Sequence, residues 1–233
     1  MTDSITQIKK SGKVRIGTLE IPGAKVDETF EADIARLVSK EIFGDEDHVE
    51  FIILKGEDRV VALKENRVDL VIGLLTILPE RQEQIAFSDP YFIEQFGIMV
   101  LKNSDIKSLQ DLKGKKVGFA NKESNALKNF EKYFPDIKIE IIEDKLEAMR
   151  ALKVNTIQAY STVAVFIANM IKNLPGGHEF RYFYPGEPFP KKNIAIGIKK
   201  NDQDLLTYIN SFIAKISSNG KLNAIYEKHG LKQ

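Results

Sequence analysis

The stretch VDLVIGLLTILPER, residues 68–81, carries the pattern from which the fold of this chain can be predicted. Residues 70–74 form a continuous apolar run without polar alternation. Runs of this kind are typical of strands in parallel sheets that helices cover on both faces. The stretch therefore predicts a buried strand followed by a loop that contains Arg81.

Toward the N-terminus, β-type and helical segments alternate. The segment after Thr29 has apolar residues at helical spacing, and Gly44 ends it in the usual C-terminal manner. The resulting β-α-β-α-β order predicts an α/β layer architecture. The strands are predicted at residues 14–18, 49–54 and 70–74, and the helices at residues 30–43 and 59–66.

A second block of the same kind follows the segment Asp89-Pro90-Tyr91-Phe92 and a predicted strand at residues 97–101. It again alternates short strands with helices, so the chain contains two successive α/β units. The strands of this block are predicted at residues 116–119, 138–142 and 156–160, and its helices at residues 125–133, 145–153 and 163–171.

The C-terminal segment does not begin a third unit. It has a predicted strand at residues 194–198, an amphipathic helix at residues 202–217 and a short helix at residues 222–228. We expect this tail to pack on the first unit, so that the chain crosses between two lobes at least twice. Two lobes with two crossovers form a hinge, and a hinge creates a ligand cleft.

The composition excludes several classes of function. The chain has 233 residues, 43% hydrophobic and 29% charged, which is typical of a soluble globular protein with a substantial core. A net charge of +1 gives no reason to expect a nucleic-acid partner. The absence of cysteine excludes disulfides, a thiolate zinc site and a cysteine nucleophile. No apolar run approaches the roughly 20 residues of a membrane span.

The N-terminal ten residues are polar and lack the apolar core of a secretory signal peptide. An exported protein whose chain begins after its leader would have the same appearance. We therefore treat the leader as absent from this chain and keep an extracytoplasmic location open.

Several motifs, in order, resemble the family 3 extracellular solute-binding proteins, the amino-acid-type receptors of ABC importers. The strongest match is VDLVIG with TILPER, residues 68–73 and 76–81, and FSDPY follows it at the family's spacing. Together the matching segments cover nearly the whole chain. The others are IKKSGKVRIGT (8–18), FEADIA (30–35), SLQDLKGKKVG (108–118) and NGKL with YEK (219–222 and 226–228).

The resemblance implies an α/β, two-lobed periplasmic-binding-protein-like fold of type II with two hinge strands. Lobe 1 would contain residues 1–92 plus 193–233, and lobe 2 residues 97–188. Residues 93–96 and 189–192 would form the hinge. A protein of this kind works as a monomer in the periplasm or as a membrane-anchored lipoprotein. It delivers its ligand to the permease component of an ABC transporter and needs no cofactor.

Arg81 is the principal candidate ligand-binding residue. The resemblance implies that it grips the ligand's carboxylate, and a guanidinium offers a planar fork of donors that matches a carboxylate. Thr76 would add a hydroxyl to the same carboxylate. Alternatively, Arg81 pairs with Glu80, Glu83 or Asp89 and only stabilises the loop.

The other candidate ligand-binding residues follow from the positions of the family's site. Leu74 stands where the family has a glycine whose carbonyl or open space faces the ligand's amine. Asn121 and Ser124 lie in a segment that is usually rich in Gly, Ser and Thr, and Thr162 follows a second-lobe strand. Glu20 lies in the loop after the first strand.

The chain departs from the family's ammonium site. The family's second-lobe aspartate is absent, because residues 158–164 read QAYSTVA, and the aromatic clamp is missing from residues 18–24. A buried ammonium without a carboxylate partner costs several kcal/mol. Either the ligand has no ammonium held in the usual way, or Glu20, Glu57 or Glu123 supplies the opposite charge. As a third possibility, the cleft binds nothing small and serves as a docking or sensory module.

The remaining ionisable residues are interpreted as structural. We expect Asp69 to be a turn or lobe-packing residue and Asp33 to have a structural role. His48, His178 and His229 lack metal-ligand spacing and are expected to be surface or loop residues.

Three functions compete on this sequence. The leading hypothesis is a binding protein that closes on a small carboxylate-bearing ligand, an amino acid or a related molecule, and does no chemistry on it. The second is the extracytoplasmic input domain of a receptor. The third is an enzyme like the cyclohexadienyl dehydratases, which needs a carboxylic acid as proton donor, with Glu20, Glu57 and Glu123 as candidates.

Overall fold

A computed structural model of the chain describes residues 4–21, 23–56 and 58–231. The chain divides into two compact units: residues up to Ile93 together with those from Lys192 onward form unit 1, and Glu94–Lys191 form unit 2. The chain therefore passes from one unit to the other at two places, between Ile93 and Glu94 and between Lys191 and Lys192.

The strands and helices alternate over most of the described residues. The strands are β1 (Val14–Thr18), β2 (Val49–Ile53), β3 (Leu70–Val71), β4 (Ile85–Glu94), β5 (Phe96–Leu101), β6 (Lys116–Phe119), β7 (Lys138–Ile141), β8 (Ala159–Val163), β9 (Phe180–Phe183) and β10 (Lys192–Lys199). The α-helices are α1 (Ser4–Ser11), α2 (Phe30–Phe43), α3 (Asp58–Lys64), α4 (Pro79–Gln82), α5 (Asn125–Tyr133), α6 (Lys145–Lys153), α7 (Ala164–Asn173), α8 (Gln203–Ser218) and α9 (Lys221–Lys228). Short 3-10 helices cover Val26–Glu28, Leu109–Leu112 and Gly177–Glu179.

Unit 1 is built on a five-stranded mixed sheet in the order β2-β1-β3-β10-β4. Strand β1 runs parallel to β2 and β3, and β10 is antiparallel to β3. Central residues of β1, β3 and α2, such as Ile16, Leu70 and Ile34, are fully buried. The predicted packing of the C-terminal tail on the first unit is seen in β10, α8 and α9, all of which belong to unit 1.

Unit 2 has a five-stranded mixed sheet in the order β7-β6-β8-β5-β9. Strand β6 runs parallel to its two neighbours, β7 and β8, whereas β5 is antiparallel to both β8 and β9. A buried cluster that includes Ile98, Phe119 and Phe130 forms the core on one side of this sheet. The α/β class expected from the alternating pattern is confirmed in both units.

Two predicted strands were placed wrongly. Strand β3 stops at Val71 instead of running to residue 74, because the chain turns and Leu74 takes a positive φ of 49°. Strand β8 covers Ala159–Val163 instead of residues 156–160. There the turn after α6, which includes Asn155 at φ 59°, extends to residue 158.

Four of the helices and strands were not predicted: α1, α4, β9 and the long strand β4. Strand β4 continues through Asp89 and Pro90, although proline usually ends a strand. It lies at the edge of the sheet of unit 1, where a missing N–H removes no necessary hydrogen bond.

Neither a membrane-spanning helix nor a metal centre is found in the described ranges. None of the helices there is long and apolar enough to cross a bilayer. No group of three or more histidine, aspartate or glutamate side chains among those residues is arranged to hold a metal ion.

Candidate functional site

The loops after β1 and β3 lie against each other at the carboxyl ends of these two strands in the unit 1 sheet. Because β1 and β3 are parallel, their carboxyl ends meet at this end of the sheet, where open α/β sheets carry their ligand sites. A Cβ at Gly73 would lie 2.8 Å from the backbone nitrogen of Leu19 and 2.9 Å from Cα of Thr18. The candidate residues Glu20 and Leu74 are therefore in neighbouring loops.

The segment after β3 is held by backbone hydrogen bonds on both sides. The N–H of Ile72 donates to the carbonyl of Gly17 at 2.9 Å. On the other side, the N–H of Ala195 donates to the carbonyl of Leu75 at 3.2 Å, and Ile77 donates to the carbonyl of Asn193 at 3.0 Å. The turn between residues 72 and 77 is thus fixed between β1 and β10.

Arg81 lies in the short helix α4 and folds back on this turn. Its side chain is buried, with the residue only 8% exposed, and its Nη1 donates to the carbonyl oxygen of Thr76 at 3.1 Å. The two principal candidates therefore meet, through the main chain of Thr76. Glu80, Glu83 and Asp89, the alternative partners of Arg81, are solvent-exposed.

A second buried arginine, Arg59, binds the start of the turn at Gly73. The sequence pattern indicated only that this residue lies in a helix. Arg59 is 7% exposed; its Nε donates to the carbonyl of Gly56 at 2.9 Å, and its Nη1 donates to the carbonyl of Gly73. A local signal was available in the sequence. A cation in the first turn of a helix opposes the helix dipole, so it usually needs another partner.

Leu74 lies between the carbonyl of Gly73, which Arg59 binds, and the carbonyl of Thr76, which Arg81 binds. Its backbone conformation is strained. Its φ is 49°, in the left-handed region that costs non-glycine residues about 1–3 kcal/mol. The residue is buried, being 6% exposed. Such strain persists only where the surrounding structure over-determines the backbone, as the bonds to Gly73 and Thr76 do here.

The candidate residues of unit 2 lie near the carboxyl ends of β6 and β8. These parallel strands are in register with Phe119 opposite Ser161. Asn121 is exposed, and its carbonyl accepts from the N–H of Ser124 at 3.2 Å. The hydroxyl of Ser124 caps α5 by accepting from the N–H of Leu127 at 3.1 Å. Thr162 is half-buried in β8.

The three carboxylates proposed as an ammonium partner differ in their surroundings. Glu123 has a side chain that is 87% exposed and pairs with Lys128 at 3.1 Å on the surface of α5. Glu20 is exposed in the loop beside Gly73. Glu57 lies outside the described residues.

Asp69 and Asp33 have the structural surroundings that the sequence suggested. Asp69 binds Arg15 through Nη2 at 2.6 Å and through the backbone N–H at 2.8 Å, which ties β1 to the start of β3. Asp33 accepts from His229 and from Lys228, each at 2.7 Å.

The predicted surface position of His229 was wrong. Its side chain is only 10% exposed, because it packs edge-on against Phe30 and binds Asp33. His178 is exposed as expected. His48 is half-buried, with Nδ1 2.7 Å from the carbonyl oxygen of Gly12.

The sequence matches the family described as bacterial extracellular solute-binding proteins, family 3, over residues 26–232. It is 30% identical over 235 residues to the ABC transporter glutamine-binding protein GlnH of Bacillus subtilis, covering 97% of this chain and 84% of that protein. It is 32% identical over 211 residues to the glutamine-binding protein of Geobacillus stearothermophilus, covering 87% of this chain and 79% of that protein.

The fold is also similar to solved structures of amino-acid-binding proteins. An ancestral cationic amino acid solute-binding protein, AncCDT-1, matches with a TM-score of 0.80 and 26% identity, covering 97% of this chain and 99% of that one. These relatives are named as binding proteins, and the resemblance drawn from the motifs is confirmed. This chain belongs to the bacterial extracellular solute-binding proteins of family 3.

Proposed function

We propose that this protein is an extracytoplasmic receptor that binds a small carboxylate-bearing ligand, an amino acid or a close relative of one, and delivers it to an ABC permease. The observation that carries this proposal is the buried Arg81 guanidinium beside the turn after β3. The names of the glutamine-binding relatives support an amino acid as the ligand.

Arg81 receives the carboxylate in this proposal. A buried guanidinium is worth more as an anion receptor than an exposed one, because the surrounding protein screens the charge less than water does. The bond from Nη1 to Thr76 fixes the plane of the guanidinium, and a fixed fork loses less entropy when it binds a bidentate anion. The hydroxyl of Thr76 adds a donor to the same group.

Glu20 and the backbone of Leu74 receive the ammonium. The position of Glu20, in the loop that touches Gly73, favours it over Glu123, which pairs with Lys128. A carboxylate partner is needed because an ammonium moved away from water without one costs several kcal/mol. This assignment favours an ordinary amino acid over a ligand without an amino group.

Unit 2 contributes Asn121, Ser124 and Thr162, and the ligand is held by closure of the two units. The hinge lies at residues 93–96 and 189–192, with lobe 1 formed by residues 1–92 and 193–233 and lobe 2 by residues 97–188. Contacts from both lobes stabilise the closed form, and the permease recognises that form. The receptor acts as a monomer, without a cofactor and without catalysis.

Isothermal titration calorimetry with the twenty L-amino acids tests the proposal. We expect at least one amino acid to bind with a micromolar or lower dissociation constant, about −8 kcal/mol or more favourable. Binding of no amino acid would refute the assignment. Turnover of prephenate or arogenate by the same preparation would favour the dehydratase hypothesis instead.

A further inference from the structure

Leu74 has a backbone conformation that its residue type disfavours. Among the described residues, the non-glycine positions with positive φ are Asn66, Leu74 and Asn155. Asparagine tolerates this region because its short polar side chain can bond locally, whereas leucine gains nothing there. Leu74 is therefore the position where the surrounding structure must enforce the conformation.

Arg59 has the geometry to enforce it. The carbonyl of Gly73 and the N–H of Leu74 belong to one planar peptide unit. Because Nη1 of Arg59 holds that carbonyl, the peptide plane cannot turn about the N–Cα bond of Leu74 without breaking the hydrogen bond. The guanidinium itself is fixed by its second bond, from Nε to the carbonyl of Gly56.

Neighbouring contacts prevent the turn from relaxing as a whole. The backbone of Thr18 and Leu19 leaves no room for even a Cβ at Gly73, so the loop after β1 limits movement of Gly73 toward it. On the other side, backbone hydrogen bonds join Leu75 to Ala195 and Ile77 to Asn193, both of which lie in β10. Rotation of the peptide before Leu74 is a further way in which the turn could relax, and the hydrogen bond from Arg59 opposes it.

We propose that Arg59 is a positioning residue: it holds Leu74 in the left-handed conformation and so sets the direction in which the Leu74 backbone meets the ligand's amino group. The second half of this proposal rests on the proposed function, in which the Leu74 backbone receives the ammonium. The first half concerns the free protein only. Arg59 thereby acts on the ligand through Leu74 and not by direct contact.

A double-mutant cycle tests the first half without any ligand. Arg59→Lys keeps the charge but loses the fork, Arg59→Met removes both, and Leu74→Gly removes the conformational strain because glycine adopts positive φ freely. We expect either Arg59 substitution to lower the urea midpoint clearly less in the Leu74 background than in the Leu74→Gly background, because without Arg59 the strained leucine can relax and recover part of the lost free energy. Equal shifts in both backgrounds would overturn the proposal.

Amino-acid affinity tests the second half. With the amino acid that binds most tightly to the unaltered protein, we expect Arg59→Lys to weaken binding about tenfold. Adding Leu74→Gly should restore affinity to within about threefold of the Leu74→Gly protein. A purely structural role would not give this rescue, and loss of the same size in both backgrounds contradicts positioning.

Arg67→Lys is the matched control. Arg67 follows α3 and is exposed, with ion pairs to Asp58 and Glu65. We expect Arg67→Lys to shift the urea midpoint equally in the Leu74 and the Leu74→Gly backgrounds. We also expect it to leave the affinity for the amino acid unchanged. If the unaltered protein binds no amino acid, the proposed function fails, whereas the urea cycle still decides whether Arg59 holds Leu74.

Discussion

Gly73 is a residue of the candidate site at which even a Cβ atom would clash with backbone. The atoms that a Cβ would meet there are the backbone nitrogen of Leu19 and Cα of Thr18, at 2.8 and 2.9 Å. Contacts under 3.0 Å with backbone require the chain itself to shift, and the neighbouring strand β1 cannot move without disturbing the sheet. Close packing of two loops thus fixes the residue type at position 73.

We predict that Gly73→Ala destabilises the protein by about 1–3 kcal/mol, the usual cost of overpacking a filled interior. Urea unfolding followed by circular dichroism measures the change. Gly17→Ala is the control, because its Cβ would meet mainly Cδ1 of Leu54 at 2.7 Å, and a flexible side chain can move. Equal losses in the two variants would contradict the importance of the backbone approach.

The sequence indicated some of these residues and not others, for physical reasons. Arg81 and Thr76 lie in one contiguous motif, so the resemblance of residues 76–81 to the family indicates both. Arg59 acts on Gly73, fourteen positions away, through a carbonyl that every residue type possesses. Backbone acceptors leave no trace in residue identity, and the positive φ of Leu74 is equally invisible in the sequence.

At the scale of elements, one half-buried acid, Asp33, links α2 to the end of α9. Burial alone would raise the pKa of the Asp33 carboxyl, but hydrogen bonds from His229 and Lys228 outweigh it and lower the pKa to about 2. Lys228 and His229 lie at the end of α9, and Asp33 lies in the first turn of α2. The carboxylate therefore fixes the C-terminal helix to the first unit.

We predict that Asp33→Asn lowers the free energy of unfolding by about 2 kcal/mol at neutral pH. The folded-state pKa lies below the unfolded value, so the carboxylate stabilises the fold above about pH 4. This contribution disappears as the pH falls from about 4 toward 2, and the difference between variant and unaltered protein should shrink in that window. Urea titrations at a series of pH values measure it.

Asp136→Asn is the control for this prediction. Asp136 has a side chain that is 64% exposed and a long 3.5 Å pair with Lys113, so its removal should leave stability almost unchanged at every pH. A difference between Asp33→Asn and the unaltered protein that stays constant down to pH 2 would show that the carboxylate's charge is not responsible.

The elements that were predicted accurately carry their own end signals. Helix α2 begins after Thr29, whose hydroxyl accepts from the N–H of Ala32, and ends at Gly44 with φ 85°. Strand β4 was missed because Pro90 normally interrupts a strand, and only its edge position in the sheet makes it acceptable. Sheet order is a property of the folded chain and is not readable from local sequence.

At the scale of the whole molecule, two units with separate sheets are joined by two chain passages. Family membership and the alternating α/β pattern were both accessible from sequence, because the motifs cover nearly the whole chain. The ligand was not, since the loops in which we propose the ligand-binding residues depart from the family's usual pattern.

If closure on the ligand occurs, the radius of gyration should fall on binding. We predict a decrease in small-angle X-ray scattering when the tightest-binding amino acid is added at saturating concentration. Arg81→Met should show no decrease at the same ligand concentration, because it lacks the guanidinium that we propose as the carboxylate receptor. A radius of gyration that does not change when the unaltered protein is saturated with ligand would contradict closure. The ligand would then bind to unit 1 alone.

The most direct measurement compares the tightest-binding amino acid with its α-carboxamide by calorimetry, in the unaltered protein and in Arg81→Met. We predict that the unaltered protein prefers the carboxylate by about 100-fold, close to 3 kcal/mol, as expected for a charge-assisted bidentate pair. In Arg81→Met the preference should fall to within about threefold. An Arg81→Met protein that binds the amino acid as tightly as the unaltered one, with the same preference, would contradict the carboxylate site.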